Sequence, residues 1–169
     1  WNVITYYMIE KERKFKVKSK KFISFSHKVI NIKQGYLSKG NNLAIRIRIS
    51  DKNAYLCIKG PTSKNGISRF EFEKKISLIE GSKLLKLCLP RIIFKKRYLI
   101  EYKKQLFEVD VFEGFLKGLV LAEIELNSES QKVYLPEWVG EEVTGVKSFY
   151  NSQLSKLTDS EVNDLISVY

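Results

Sequence analysis

The chain has 169 residues, 44% of them hydrophobic and 29% charged, with a formal net charge of +11 at pH 7. That length holds one domain with a sizeable core and excludes two comfortable ones, and no apolar run approaches the roughly 18 residues that a membrane span needs. Cys57 and Cys88 give no disulfide framework, and the single His27 leaves a histidine-based metal centre or a Ser-His-Asp triad without support, so any metal would have to be a hard ion held by oxygen.

The residues before Met8 lack a basic leader and a cleavage site and read as an extension; together with the two thiols this points to the cytoplasm. The first strand is Ile9 to Val17. Side chains two apart share a strand face, so Glu10, Glu12 and Lys14 project together, while Ile9, Lys11, Arg13, Phe15 and Val17 point the other way. Lys18 to Lys28 is basic and irregular, a loop or short helix with Phe22, Ile23 and Phe25 as its apolar content. Ile32 to Leu37 is a short strand, and Ser38-Lys39-Gly40-Asn41-Asn42 is turn chemistry. Leu43 to Ile49 alternates cleanly, which puts Arg46 and Arg48 on one face. Asp51-Lys52-Asn53 turns the chain into the strand Tyr55 to Lys59. A polar loop from Gly60 to Gly66 precedes Arg69 to Glu73, where Arg69, Glu71 and Glu73 share a side.

From Ser77 to Leu89 the period changes. Leu78, Ile79, Leu84, Leu85, Leu87 and Leu89 form a helical stripe, and Pro90 ends it. Strands resume with Ile92 to Tyr102, carrying Lys95 and Arg97, then Leu106 to Phe112, carrying Glu108 and Asp110, then Leu121 to Leu126, carrying Glu123 and Glu125. From Ser128 onward the chain reads as helical and loop-like. Thr158 and Glu161 form a capping box for a last helix over 158–168.

This is a mainly β chain of about eight antiparallel strands, with charge on one parity and apolar residues on the other. An open sheet would leave the charges in water. A closed barrel would gather them in its lumen and turn the apolar faces outward, under the helices at 77–89 and after 128. Periodicity leaves both open. The basic balance likewise fits nucleic acid, a phosphorylated small molecule or an acidic membrane.

Nine blocks in order resemble one family. Glu10-Lys11-Glu12-Arg13-Lys14-Phe15 is similar to the ExExK signature of the CYTH superfamily, the triphosphate tunnel metalloenzymes. Gln34-Gly35-Tyr36-Leu37 resembles its QGYL element, Leu43 to Ile49 its RxR strand, Ile58-Lys59-Gly60 its IKG block and Arg69 to Glu73 its RxExE block. Lys95-Lys96-Arg97-Tyr98, Phe107 to Phe112 and Ala122 to Glu125 resemble its KxRY, ExDxF and ExE strands, and Trp138 to Thr144 its WxGxEVT tail. The chain departs from that pattern after Lys147, where Ser148-Phe149-Tyr150-Asn151 stands in place of a further basic residue followed by Tyr and Asn. The resemblance spans about Ile9 to Asn151. It implies an α+β, mainly β fold: one domain over 1–169 with a core at about 8–151, built as a closed eight-stranded antiparallel barrel with a charged tunnel and helices outside.

The resemblance also implies a tunnel chemistry. Clustered carboxylates repel phosphate, so acids in a phosphate tunnel make sense chiefly as ligands for Mg²⁺ or Mn²⁺. Glu10, Glu12, Asp110, Glu123 and Glu125 are the expected metal ligands, and Lys14, Glu12 and Asp110 the expected catalytic set. Lys14, Tyr36, Arg46, Arg48, Lys59, Arg69, Lys95, Arg97 and Lys147 are the expected contacts to a small-molecule triphosphate. Glu71, Glu73 and Glu108 are ligands, base or charge balance. The expected reaction is metal-assisted hydrolysis of tripolyphosphate or a related triphosphate. The alternatives are a CYTH-type adenylyl cyclase and a non-catalytic polyphosphate- or RNA-binding module. Retention of the acid pairs argues against the last, and no membrane or nucleic-acid partner is expected.

Overall fold

The computed structural model describes residues 9–40, 43–88 and 90–167. The extension before Met8, the turn residues Asn41 and Asn42, the helix-stripe residue Leu89 and the final position of the 158–168 helix lie outside them. The elements in chain order are β1 (Ile9–Val17), β2 (Lys28–Gly40), β3 (Leu43–Ser50), β4 (Asn53–Thr62), β5 (Ser68–Ile76), α1 (Leu78–Lys86), β6 (Ile93–Tyr102), β7 (Gln105–Phe112), β8 (Val120–Glu125), β9 (Val139–Glu142), α2 (Asn151–Leu154) and α3 (Asp159–Ser167). No helix among the described residues is long and apolar enough to cross a membrane.

Eight strands close into a ring in the order β1-β5-β4-β3-β2-β6-β7-β8, every neighbour antiparallel. The closure is uneven. β8 pairs with β1 from Glu12 to Lys16, whereas β5 holds only Ile9, Glu10 and Lys11, with the Glu12 amide donating to the Ile67 carbonyl at 3.0 Å. Beyond that point β9 takes the same edge, Phe15 opposite Glu142 and Val17 opposite Val139. This ninth strand corrects the helical-and-loop reading of the tail. Its four residues are too few to show an alternation.

Period two decides what faces outward. Phe15, Val17, Ile100, Phe107, Val109, Ala122 and Ile124 form one buried cluster on the outside of β1, β6, β7 and β8. Its cover is aromatic rather than helical. Phe22, from a short 3-10 turn at Lys20–Phe25, and Trp138 cap it, with ring centroids 5.9 Å apart and Trp138 5.6 Å from Phe107. A second cluster is closed by Phe149, Leu154 of α2 and Val162 of α3.

α1 lies over β3 and β4. Ser77 and Glu80 form a reciprocal capping box at its start. The expected apolar stripe does not settle its packing, since Ile79 and Leu87 are 70% and 71% exposed. The helix instead approaches the barrel through Gly81, where a Cβ would meet that of Ala54 at 2.5 Å. Gly81→Val should therefore cost about 1–3 kcal/mol as the helix is pushed off the strands. Thermal melting checks this, and an unchanged midpoint would contradict it.

Candidate active site

The inward parity of the strands encloses a cavity of about 360 Å³. β1 contributes Glu10, Glu12 and Lys14, β3 Arg46 and Arg48, β4 Lys59, and β5 Arg69, Glu71 and Glu73. From β6 come Lys95 and Arg97, from β7 Glu108, from β8 Glu123 and Glu125, and from β2 Gln34 and Tyr36. Two expected residues stand apart. Asp110 does not line the cavity and is buried behind Lys95 and Arg97, while Lys147 lines a second, neighbouring cavity.

On one side the charges form a closed network. Lys95 donates to Asp110 at 2.5 Å, and Arg97 donates to Asp110 at 2.7 and 2.8 Å, to Glu123 at 3.0 Å and to Glu108. Lys14 sits 2.8 Å from Glu123 and 3.8 Å from Glu12. Burial alone would raise Glu123, but Lys14, Arg97 and Lys95 together hold its carboxyl well below the ordinary range. Burial would likewise raise Asp110, yet Arg97 and Lys95 keep it low. Lys95, wholly buried, is pushed down to about 8 despite Asp110, with Arg97 adding to the push. These two acids are already neutralised by the protein's own cations.

The acids at the closing strands are not. Glu12 and Glu125 are direct cross-strand partners. Glu12 is raised by burial and by Glu123 and Glu10, which outweigh Lys14. Glu125 is raised by burial and then by Glu10 and Glu12. Glu108 is raised by burial in the same way, with Glu123 and Asp110 adding to it against Arg97. Two of this group are held at close range, Glu10 by Lys59 at 2.5 Å and Glu108 by Arg97. Glu12 and Glu125 thus face each other across β1 and β8, where the nearest ion pair to either among the described residues is Lys14–Glu12 at 3.8 Å.

The basic side chains of β3, β4 and β5 continue around the lumen from the β1–β8 edge and are partly held by acids of β5. Arg48 grips Glu73 at 2.8 and 2.9 Å, and Lys59 reaches Glu71 at 2.7 Å. The Nε atoms of Arg46, Arg48 and Arg69 and the Nε2 of Gln34 are buried without a hydrogen-bond partner among the described residues. Buried donors left unpaired are costly, so a cluster of them facing one cavity marks a place for acceptor oxygens.

A family model described as the CYTH domain matches residues 8–160. The chain belongs to the CYTH family. It is 38% identical over 148 residues to an inorganic triphosphatase of Acetivibrio thermocellus, covering 87% of this chain and 93% of that one. An inorganic triphosphatase of Nitrosomonas europaea is 35% identical over 152 residues, covering 88% and 97%. The crystal structure of an inorganic triphosphatase superposes with a TM-score of 0.62 at 30% identity, covering 88% of this chain and 95% of that one.

For a CYTH domain the cation question is which acids fit a hard divalent ion. Among the described residues, one trio has ligand atoms all within 4.8 Å of each other: Cys57, Glu71 and Glu73. Its carboxylates are already held by Arg48 and Lys59, and the Cys57 thiol bonds to Glu73 at 2.8 Å. A thiol ligand suits soft ions. In donor type the all-oxygen set of Glu10, Glu12 and Glu125 suits a hard divalent ion better, but its oxygens do not all lie within 4.8 Å of one another in this structure.

Sequence reasoning did not single out Gln34 as a site residue. It shares the parity of Tyr36 on β2 and pairs across to Arg48, a signal that was present but uncharged. Tyr150, Asn151 and Ser152 also line the lumen, with the Lys14 ammonium 6.0 Å from the Tyr150 ring centroid. They stand where the tail departs from the family pattern.

Proposed function

We propose that this CYTH barrel is a divalent-metal-dependent triphosphatase that transfers the terminal phosphoryl group of inorganic tripolyphosphate to water. The observation that carries it is the segregation of charge inside one closed lumen. Arg46 and Arg48 line the cavity from β3, and Glu12 and Glu125 line it as cross-strand partners at the β1–β8 seam. The names of the two bacterial relatives support the choice of substrate.

Glu10, Glu12 and Glu125 are the candidate ligands for Mg²⁺ or Mn²⁺. Such an ion supplies positive charge that offsets the charge building on the phosphoryl oxygens. Arg46, Arg48 and Arg69 bind the phosphate chain through donors that are otherwise unpaired, and planar guanidinium groups suit paired phosphate oxygens. Lys59 and Arg48 exchange their carboxylate partners for phosphate as the substrate enters. Lys14, held between Glu12 and Glu123, projects a fixed charge at the reacting phosphoryl group. Asp110 and Glu123 are positioning groups that hold Lys95, Arg97 and Lys14 toward the lumen. Glu108 is the candidate acceptor of the proton released by the attacking water, since a carboxylate raised by burial is the stronger base. Tyr36 closes the chamber beside Arg46.

Phosphate release from tripolyphosphate, thiamine triphosphate and ATP, measured with Mg²⁺, Mn²⁺ or EDTA, tests the reading. Metal-dependent release, fastest on tripolyphosphate, is expected. Release that persists in EDTA, no release at all, or conversion of ATP to cyclic AMP would sink it. Arg48→Ala should raise the KM for tripolyphosphate about 10- to 100-fold, the worth of a charge-assisted phosphate contact, while metal half-saturation stays put. A shifted metal titration with unchanged KM would reverse that assignment.

A further inference from the structure

Where β1 changes partner, the backbone of Lys14 is left to the tail. On the edge of β1 away from β8, β5 pairs with Ile9 to Lys11, and β9 takes over at Phe15. The Glu12 amide donates to the Ile67 carbonyl and the Lys18 amide to the Trp138 carbonyl, each at 3.0 Å. Between them the Lys14 amide finds a side chain instead, donating to the Thr144 hydroxyl at 3.0 Å. The Lys14 carbonyl accepts from the Val143 amide at 2.8 Å. Residues 143 and 144 thus hold both backbone groups of a lysine whose ammonium stands in the lumen.

Thr144 is itself fixed from two sides. Its hydroxyl donates to Glu142 Oε1 at 2.6 Å, and Arg13 grips Glu142 at 2.5 and 2.8 Å. On the other side, Gly145 lies against Gly66, both at positive φ, where a Cβ on Gly66 would come 2.4 Å from the Gly145 Cα. A line of contacts therefore runs from an ion pair on the outer face, through one hydroxyl, to the backbone of a lumen residue. At its inner end the Lys14 ammonium is 2.8 Å from Glu123, and the residue is 5% exposed.

A hydroxyl suits this place because it accepts from an amide and donates to a carboxylate at once. A backbone carbonyl would satisfy the amide but could not pass the bond on to Glu142. Without the hydroxyl, a buried N–H would be left unpaired, and β1 would have to turn at Lys14 to find another acceptor. We propose that Thr144 is a positioning residue for Lys14, setting where its ammonium stands by holding its backbone at the break between β5 and β9. This rests on the role given to Lys14 in the triphosphatase reading.

The test uses the full chain and tripolyphosphate in Mg²⁺ or Mn²⁺, well below the melting temperature of each variant. Thr144→Val keeps the shape and removes the hydroxyl. It should lower kcat about 10- to 100-fold, the effect of misplacing a catalytic group by about 1 Å. KM and metal half-saturation should stay within about twofold, and Thr144→Ser should recover most of the loss. In a Lys14→Ala background, Thr144→Val should remove nothing further, because it acts through Lys14. Glu142→Ala should give the same split, smaller, and covers the case in which Thr144→Val does not fold. An equal loss in the Lys14→Ala background would overturn the proposal, as would an unchanged kcat in both single variants. A second readout needs no turnover. The NMR signal of the Lys14 ammonium should move in Thr144→Val and return in Thr144→Ser, while that of Lys59 stays. If the wild type releases no phosphate from tripolyphosphate, the triphosphatase reading fails and the NMR signal alone decides the positioning role. An unmoved Lys14 signal overturns it.

Discussion

Glu12→Gln should abolish most turnover, by about 100-fold or more, while leaving the melting temperature unchanged or higher. Glutamine keeps the size and hydrogen bonding of the side chain but loses the charge that a hard divalent ion requires. Glu12 is crowded by Glu10, Glu123 and its cross-strand partner Glu125, and its nearest cation, Lys14, is 3.8 Å away and committed to Glu123. Removing its charge therefore relieves repulsion in the metal-free protein rather than stranding a partner. Phosphate release across a metal titration, beside thermal melting, reads both halves. A variant that melts far lower yet keeps its turnover would make Glu12 scaffolding and remove it from the metal group.

Asp110→Ala should show the opposite signature. Asp110 is 1% exposed and receives both Lys95 and Arg97. Its loss leaves two buried cations facing each other, a break that costs about 3–5 kcal/mol. For a chain of this size that is on the order of 10 °C in Tm. Activity falls as well, since Arg97 and Lys95 lose the group that aims them, but the metal dependence of the remaining activity should be that of the wild type. If the variant instead melts normally and needs far more metal, Asp110 is a ligand and not a positioning group.

The difference between these two carboxylates shows where sequence reasoning ran out. Period two put Glu12, Glu108 and Asp110 on inward faces, and the acid-rich and base-rich strands were legible without any structure. Alternation does not say how deep along the barrel radius a side chain ends. Asp110 is swallowed between Lys95 and Arg97, and Glu108, one step along the same strand, reaches the cavity. Lys147 is a similar case, because a residue of a short 3-10 helix carries no strand parity, and it lines the neighbouring cavity instead. Gln34 escaped notice because the pattern was read in charges. The outer cover was harder still, since Phe22 and Trp138 meet only after the barrel has brought a turn near residue 22 beside a segment near residue 138.

The split edge of β1 has a consequence for biosynthesis. The strand made first takes its neighbours from β5 on one side and from β8 and β9, made more than a hundred positions later, for the rest. Arg13 and Glu142, which tie that seam on the outer face at 2.8 Å, are 129 positions apart. Contacts of such high order form late, because the chain entropy between them must be surrendered first. A nascent chain that has not yet emerged past β8 holds Glu10 and Glu12 without Glu123 or Glu125. The carboxylates of the β1–β8 edge therefore meet only once β8 has been made, and a product truncated before β8 cannot assemble them.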